Sequence, residues 1–464
     1  MTPGARLQAA AEILDILARE ARGTDRVLRD YFRRRRYAGS KDRRAVGARV
    51  YGVLRRTGAA LWALQSAGPA DPGPRLMLIA DLMLADGLSL AEIDGLFDGS
   101  GHGPAPLSGA ERAAAEALAA QAAAEALADR AGAGDPAPAW AAGNLPAWLE
   151  APLRARFGTD LDDELAALNA PAPIDLRVNP LRVEGPSKDA RARARADLAA
   201  AGIAAAPTPL APLGLRLDAP ADLTRTGPWK AGAVEIQDEG SQLVARLVDA
   251  RPGMTVIDYC AGAGGKALAL AADMAGRGRL IACDSAPDRL ARLEPRADRA
   301  GAGFVERRPL AGDDPLADLT GAADRVLLDV PCTGMGAWRR DPAARWRLRP
   351  ADLERRTAEQ AAILAAAAPL VRPGGRLIYA TCAFLAAENE AQVARFLEVQ
   401  PDFCLLPAAE AAAAAADLPA AALSADGAYL VVTPGRQGCD GFFAAVLERA
   451  ETDAAANEPA FPGS

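Results

Sequence analysis

Apolar residues recur at helical spacing along the first part of the chain. Leu7, Ala11 and Leu14 lie three or four residues apart, the spacing that places side chains on one face of an α-helix. The same period recurs in segments up to residue 97, and an alanine-rich helix is predicted over residues 108–131. We therefore predict an all-α domain over residues 1–131.

The pattern changes after a Gly/Pro-rich linker that follows residue 131. Short extended runs and one arginine-rich helix predict a small α/β module over residues 140–227. From 228 to 449, apolar β-branched runs alternate with helical segments, which indicates a doubly wound, mostly parallel sheet. We expect an alanine-rich insertion (407–422) to be mobile and residues 450–464 to form a disordered tail.

Composition excludes several classes of protein. The 464-residue chain has a single histidine, His102, so a Ser-His-Asp hydrolase or a multi-histidine metal site has almost nothing to build with. Six cysteines without a CxxC pair argue against a zinc site or a disulfide framework, and we expect no metal. No apolar run is long enough to span a bilayer, and the charged start is unlike a signal peptide. We expect a monomeric, cytoplasmic protein without a membrane partner.

Positive charge is concentrated near the N terminus. The formal net charge is -7, but residues 26–56 hold twelve Arg and Lys against two Asp, including Arg33, Arg34, Arg35 and Arg36. Because charge is screened within about 10 Å, such a face can bind phosphate despite the negative total. Aromatic residues flank the run, as on many RNA-binding surfaces. A solvated helix face is the alternative interpretation.

A strand, a glycine-rich loop and a helix organise the third domain. Residues 255–258 end a short β-branched run, residues 260–265 are mostly small, and a helix is predicted to start near Ala267. Glycines let the backbone approach a nucleotide-like ligand closely. The next apolar run ends at Asp284, where such folds bind a ribose diol. An ordinary strand–helix turn is the alternative for the loop taken alone.

Two cysteines also follow predicted strands. One strand ends in Asp-Val-Pro-Cys at residues 329–332, and another ends in Thr381-Cys382. Ligands of open α/β sheets bind beyond the carboxyl ends of the strands. We therefore expect Asp329, Cys332 and Cys382 to share one cleft with the glycine loop.

Together these motifs resemble the RsmB/NOP/Sun family of S-adenosylmethionine-dependent RNA 5-methylcytosine methyltransferases. The motifs are Asp258-Tyr-Cys-Ala-Gly-Ala-Gly-Gly-Lys266, Asp329-Val-Pro-Cys332, Tyr379-Ala-Thr-Cys382, Glu388-Asn-Glu390, and the segments 237–242 and 440–443. The helical front resembles the NusB-like RNA-binding domain of the bacterial rRNA members. The resemblance implies a Rossmann-like class I methyltransferase domain, S-adenosylmethionine as cofactor, small-subunit rRNA as substrate, and an RNA-positioning role for the small module.

The resemblance also implies roles for individual residues. Cys382 would be the nucleophile that adds to C6 of cytosine, and Cys332 would assist its release. Asp329 would hydrogen-bond the base, while Lys266 would steady Asp329 or lower a cysteine pKa. Contacts to the cofactor are expected from Cys260, Ala261, Gly262, Ala263, Gly264, Gly265, Lys266, Asp284 and Asp329.

The residues alone leave the order of the two thiols open. C5 of cytosine is a poor nucleophile, and a thiolate that adds to C6 turns the ring into an enamine whose C5 can take a methyl group. The Pro-Cys position, here Cys332, is the nucleophile in DNA cytosine methyltransferases. Arg339 and Arg340, just beyond it, are expected to approach RNA phosphate. The target cytosine must be unpaired or flipped to be reached.

The sequence departs from the family in one segment, and three alternative functions stand beside the resemblance. Residues 304–310 lack the aspartate that holds the adenine amine in the family, and Asp313 and Asp314 come late. Methylation of tRNA is the alternative within the same chemistry. Adenine amino methylation is disfavoured because residues 329–332 replace its Asn/Asp-Pro-Pro-aromatic loop. A non-catalytic RNA-binding assembly factor is the alternative from another class, and a binding module would not need two cleft cysteines.

Overall fold

The computed structural model describes residues 1–65, 72–130, 137–312, 315–415 and 418–451. It divides into two compact units. The helical unit comprises Met1–Pro171 and an inserted segment, Ala337–Pro350, and the sheet unit comprises Ala172–Gly336 and Ala351–Ser464. Most of the predicted linker and tail, together with Asp313 and Asp314, lie outside the described residues.

The helical unit consists of amphipathic helices, as the apolar spacing predicts. Leu7 and Leu14 of the first helix are buried with Val50 and Val53 of the third. The Thr2 hydroxyl accepts the Ala5 N–H at 3.2 Å, which satisfies one of the unpaired amides at a helix start. The helices are α1 (Pro3–Arg19), α2 (Thr24–Arg34), α3 (Ser40–Gln65), α4 (Pro74–Leu84), α5 (Leu90–Leu96), α6 (Gly109–Arg130), α7 (Ala139–Ala142), α8 (Glu150–Phe157) and α9 (Leu161–Asn169).

A small antiparallel sheet opens the sheet unit. Its strands are β1 (Asp175–Val178), β2 (Ala205–Pro207), β3 (Gly214–Leu217) and β4 (Val234–Ile236), in the order β2-β3-β1-β4. The helices α10 (Ala190–Ala200) and α11 (Gly227–Lys230) accompany it. Leu176, Leu198 and Leu215 form its buried core. The predicted extended piece near residues 174–179 is therefore the central strand β1.

The large sheet is doubly wound and mostly parallel, which confirms the predicted fold class. Its order is β7-β6-β5-β8-β9-β12-β10, and β12 runs antiparallel to β9, β10 and β11. The strands are β5 (Thr255–Asp258), β6 (Arg279–Asp284), β7 (Glu306–Pro309), β8 (Ala323–Asp329), β9 (Val371–Thr381), β10 (Phe403–Leu406), β11 (Leu430–Val432) and β12 (Phe442–Arg449). The helices that follow α11 in the chain are α12 (Glu239–Leu247), α13 (Gly265–Asp273), α14 (Pro287–Leu290), α15 (Leu293–Ala300), α16 (Pro342–Arg347), α17 (Pro350–Ala367), α18 (Glu390–Val399), α19 (Ala408–Ala415) and α20 (Pro434–Gln437).

The inserted segment, which carries α16, packs within the helical unit. The buried guanidinium of Arg345 donates to the carbonyl oxygens of Asn144 and Leu168 at 2.6 and 3.1 Å. The Thr24 hydroxyl donates to Asp341 at 2.6 Å. These contacts fix residues that directly follow the Cys332 loop in the sequence.

The alanine-rich insertion differs from its prediction. Instead of a mobile loop it contains α19, whose Ala408 and Ala411 are buried in the core of the sheet unit. Alanine favours the helix, and its small side chain permits close packing.

Among the described residues, no helix is both long enough and apolar enough to cross a bilayer.

Candidate active site

The glycine-rich loop follows β5, where the strand order of the large sheet reverses. β6 flanks β5 on one side and β8 flanks it on the other, and ligands of open α/β sheets bind in the crevice at such a point. Gly262 and Gly264 have φ values of 57° and 81°, a left-handed conformation that glycine adopts without strain. Leu293 packs where a Cβ of Gly264 would lie. Residues 260–265 thus form a tight backbone turn at the head of α13.

Asp284, at the end of β6, holds this loop. Its Oδ2 accepts the Gly262 N–H at 2.8 Å, and its Oδ1 accepts the Ala286 N–H at 2.8 Å. Each carboxylate oxygen can accept more than one hydrogen bond. Asp284 can therefore support the loop and still accept hydroxyl hydrogen bonds from a ribose.

Asp258 is a site residue that the sequence prediction left out. Its side chain is buried at the end of β5, and no side chain of the described residues donates a hydrogen bond to its carboxylate. Burial, with Asp329 nearby, raises the pKa of Asp258 to about 7, although Lys266 opposes the shift. A buried acid beside a glycine turn suits a ligand that has both an amine and a ribose. S-adenosylmethionine has both. The signal was its position as the last residue of the strand before the loop.

Lys266 and Asp329 form an ion pair. Lys266 lies in the first turn of α13, and its Nζ is 2.6 Å from Oδ2 of Asp329, at the end of β8. The lysine side chain is 8% exposed and the aspartate 32%. The Lys266 Nζ also lies 4.9 Å from the ring centroid of Phe442. Lys266 is therefore a buried partner of Asp329 rather than a surface lysine.

Cys332 and Cys382 lie side by side. Their Sγ atoms are 3.4 Å apart, because β8 and β9 are neighbouring parallel strands that end at the same edge. The hydrogen bond from the Gly336 N–H to the Cys382 carbonyl, at 2.9 Å, joins the two loops. Hydrogen bonding to Cys382 and burial both raise the pKa of the Cys332 thiol. The structure thus brings together the two cysteines that the sequence placed in one cleft.

Glu388 holds the loop that carries Cys332 in place. Its carboxylate accepts the N–H and the hydroxyl of Thr333 at 2.8 and 2.5 Å. Gln360 donates to both Glu388 and the Pro331 carbonyl, at 3.1 and 3.0 Å, and the Tyr379 hydroxyl donates to the Glu388 carbonyl. Glu388 is fully buried, and burial raises its pKa. Its motif was noticed in the sequence, but this bracing role was not predicted.

The other cysteines are less suited to thiolate chemistry. Burial raises the pKa of Cys260, and it raises the pKa of Cys283 to about 12. Cys439 is buried and Cys404 is exposed. Cys260 nevertheless lies two residues beyond the end of β5, and its contact with the cofactor stays a prediction.

The predicted RNA-binding arginines belong to the helical unit and differ in exposure. Arg33, Arg34 and Arg36 are exposed. Arg35 folds back instead, with its guanidinium 2.9 Å from Glu12 and 3.7 Å from the ring centroid of Tyr31.

The arginine pair after Cys332 lies in the inserted segment. Arg340 is half-buried and Arg339 is only 4% exposed, and the contact of the pair with RNA phosphate stays a prediction. The inserted segment packs within the helical unit, and sequence spacing alone could not reveal that.

A mostly parallel sheet, a glycine turn at its switch point and acids at the ends of β5 and β6 define a Rossmann-like methyltransferase domain. Comparison with known proteins identifies the group within this class. The family model described as 16S rRNA methyltransferase RsmB/F matches residues 245–448, and the ferredoxin-like domain of RsmF/B-like methyltransferases matches residues 145–224. The chain belongs to the RsmB/F methyltransferase family, whose methyl donor is S-adenosylmethionine.

Individual relatives agree with this assignment. The ribosomal RNA small subunit methyltransferase B of Xanthomonas campestris is 34% identical over 331 residues, which cover 68% of this chain and 69% of the relative. The probable ribosomal RNA small subunit methyltransferase B of Synechocystis is 34% identical over 268 residues, 56% of this chain and 58% of that relative. The match thus spans less than two thirds of the second relative. The crystal structure of PH0851 has a TM-score of 0.72 at 24% identity, covering 97% of this chain and 99% of that one, and shares the fold.

Proposed function

We propose that the protein methylates C5 of a cytosine in small-subunit ribosomal RNA through a covalent cysteine–C6 adduct. The observation that carries this proposal is the pair of thiols, Cys332 and Cys382, 3.4 Å apart at the ends of adjacent strands. The names of the relatives, which specify ribosomal RNA of the small subunit, support the choice of RNA. Ribosomal RNA as substrate in turn supports action in the cytoplasm.

The cofactor would be held by the glycine turn. S-adenosylmethionine supplies an electrophilic methyl group on its sulfonium. Residues 260–266 would cradle it with their backbone, and Asp284 would accept hydrogen bonds from its ribose hydroxyls. Asp258, whose buried carboxylate accepts no hydrogen bond from a side chain of the described residues, would accept hydrogen bonds from its amino group. A carboxylate in that position gains from a cationic partner because both are shielded from water.

Cys382 is the proposed nucleophile. Its thiolate adds to C6 of cytosine, which turns C5 into the carbon of an enamine and allows it to accept the methyl group. Asp329 would accept a hydrogen bond from the N4 amino group and so orient the ring, while the Lys266 ammonium beside it would offset the negative charge that develops on the ring during attack. The ion pair with Lys266 at 2.6 Å keeps the Asp329 carboxylate in place.

Cys332 is the proposed release group. The C5 proton passes to water in the cleft, its C–H electron pair forms the C5–C6 double bond again, and the C6–S bond breaks with its electrons on the Cys382 sulfur. The raised pKa of Cys332 keeps its thiol protonated, and an S–H beside the departing sulfur of Cys382 stabilises the thiolate that leaves. A protonated Cys332 is a poor nucleophile, because the thiolate is the reactive form.

The other domains would bring RNA to the cleft. We propose that residues 1–131 form a NusB-like RNA-binding domain, that residues 140–227 position RNA, and that residues 228–449 catalyse methyl transfer. The exposed guanidinium groups of Arg33, Arg34 and Arg36 are available to RNA phosphate, which arginine binds well.

Methyl transfer to defined RNAs tests this function. The protein is incubated with S-adenosylmethionine labelled in its methyl group and with unmethylated small-subunit rRNA or, in parallel, tRNA, and the digested nucleosides are identified. We expect labelled 5-methylcytidine from rRNA. Label in tRNA alone would keep the chemistry and change the substrate. Labelled methyladenosine, or no label although the cofactor binds, would refute the proposal and favour a different methyltransferase or a binding factor.

A further inference from the structure

A second cavity lies on the sheet unit and shares no lining residue with the cysteine cleft. It is open, with a volume of about 470 Å³, within the range of about 300–1,000 Å³ usual for ligand pockets. Its walls come from α11, from β4 and from α15. The lining residues are Trp229, Glu235, Ile236, Pro295, Arg296 and Arg299.

The walls combine flat, apolar and cationic groups. The Arg299 guanidinium lies 3.8 Å from the ring centroid of Trp229, and Ile236 is 52% exposed. Glu235 is buried and pairs with both Arg296, at 2.9 Å, and Arg299. One carboxylate between two guanidinium groups leaves a net charge of +1. Nucleic-acid bases stack on aromatic rings and on arginine planes, and phosphate seeks positive charge.

Hydrogen bonds hold the cavity walls in place. Asn179 donates to the carbonyl oxygens of Gly232, before β4, and of Ala300, at the end of α15, at 3.0 and 2.9 Å. Arg182 donates to the carbonyl oxygens of Arg299 and Asp298. The two walls are therefore tied together, and a ligand would enter a formed site rather than having to order one.

One wall residue also contacts the cofactor loop. Nη1 of Arg296 donates to the Ala263 carbonyl at 2.5 Å, while its Nη2 binds Glu235. Arg296 therefore belongs both to the cavity and to the glycine turn. A ligand in the cavity lies one side chain from the loop proposed to hold the methyl donor.

We propose that this cavity binds an unpaired nucleotide of the substrate RNA, separate from the cytosine that is methylated. The base extends the stack of Trp229 and Arg299 and covers Ile236, and its phosphate is attracted by the excess positive charge. This assignment rests on RNA as the substrate under the proposed function. It places one RNA contact beside the cofactor loop, where Arg296 links the two.

A matched pair of substitutions tests the cavity. Ile236→Asp puts a carboxylate into it, and Val399→Asp makes the same change at another exposed apolar residue, 66% exposed at the end of α18. We expect Ile236→Asp to weaken RNA binding and raise the KM for RNA about 5- to 100-fold, the range of losing one stacked base, with kcat and cofactor affinity unchanged. Val399→Asp should leave both near wild type. Thermal unfolding of each variant checks that it is folded.

Photocrosslinking makes the proposal independent of activity. RNA that carries 4-thiouridine is irradiated with the wild-type protein, and we expect crosslinked peptides to include residues 229–236. Equal effects of the two substitutions, or loss of cofactor affinity alone in Ile236→Asp, would overturn the proposal. Crosslinking elsewhere only would overturn it as well. If the wild type transfers no methyl group, the proposed function is contradicted instead. RNA affinity and the crosslinks then still test whether the cavity binds RNA.

Discussion

The Glu388 carboxylate accepts both the backbone amide and the hydroxyl of Thr333, the residue that follows Cys332. Gln360 completes the arrangement by bonding to the same carboxylate and to the Pro331 carbonyl. The loop that carries Cys332, whose sulfur lies 3.4 Å from that of Cys382, is thus held in place by the fully buried Glu388. These hydrogen bonds account for the presence of a glutamate that is shielded from solvent.

Glu388→Ala should lower both stability and methyl transfer. It leaves the Thr333 amide without its acceptor and removes one of the two acceptors of the Gln360 amide, and the loss of such an acceptor costs about 1–3 kcal/mol. Glu388→Gln, which keeps one acceptor oxygen, should recover part of the unfolding free energy. Denaturant unfolding and the methylation rate give the comparison. An alanine variant as stable and as active as wild type would show that the loop does not depend on this brace.

Lys266→Met should slow methyl transfer by about 10²–10³-fold, the effect of removing one preorganised electrostatic contact. The substitution deprives Asp329 of its ion-pair partner while keeping the length of the side chain. Lys188→Met, at an exposed lysine, is the control. Single-turnover rates at saturating cofactor measure the effect, with cofactor affinity determined separately. A wild-type rate in Lys266→Met would remove Lys266 from the site.

Gly264→Ala should destabilise the protein by about 1–3 kcal/mol, because its φ of 81° is unfavourable for a residue with a Cβ. The new methyl group would also overlap Leu293. Gly265→Ala is the neighbouring control, because a Cβ there meets no other atom and should leave the unfolding free energy almost unchanged. Unfolding without cofactor measures both. Equal stability of the two variants would contradict the geometry of the turn.

Asp258 makes stability depend on pH. Its pKa is raised from the ordinary value of 3.8 to about 7 by folding, so the folded state binds more protons between these values and its stability falls as pH rises from about 4 to 7. The loss at pH 8 is at most about 4 kcal/mol. Asp258→Asn lacks this ionisation. The difference in stability between the variant and the wild type should therefore favour the variant more at pH 8 than at pH 5. Parallel pH profiles of the two proteins would argue against a buried carboxylate that resists ionisation.

The sequence predicts the fold and the residues at strand ends, because buried parallel strands appear as short apolar runs and their carboxyl ends meet at one edge. Asp284, Asp329 and Cys382 could be predicted as site residues in this way. The burial of Arg339 and the bracing role of Glu388 could not, because both depend on which distant elements pack around them. The burial of the helix at Ala408–Ala415 was not predictable either. An alanine run predicts a helix but does not reveal which elements pack against it.

Covalent trapping tests the central claim most directly. Cys332→Ala and Cys382→Ala are each incubated with S-adenosylmethionine and unmethylated small-subunit rRNA, then denatured and separated by electrophoresis. If Cys382 attacks C6 and Cys332 assists release, Cys332→Ala accumulates a protein–RNA adduct that survives denaturation, and Cys382→Ala forms none. An adduct in Cys382→Ala alone would reverse the two roles. Normal turnover by Cys382→Ala would contradict nucleophilic attack by that thiol.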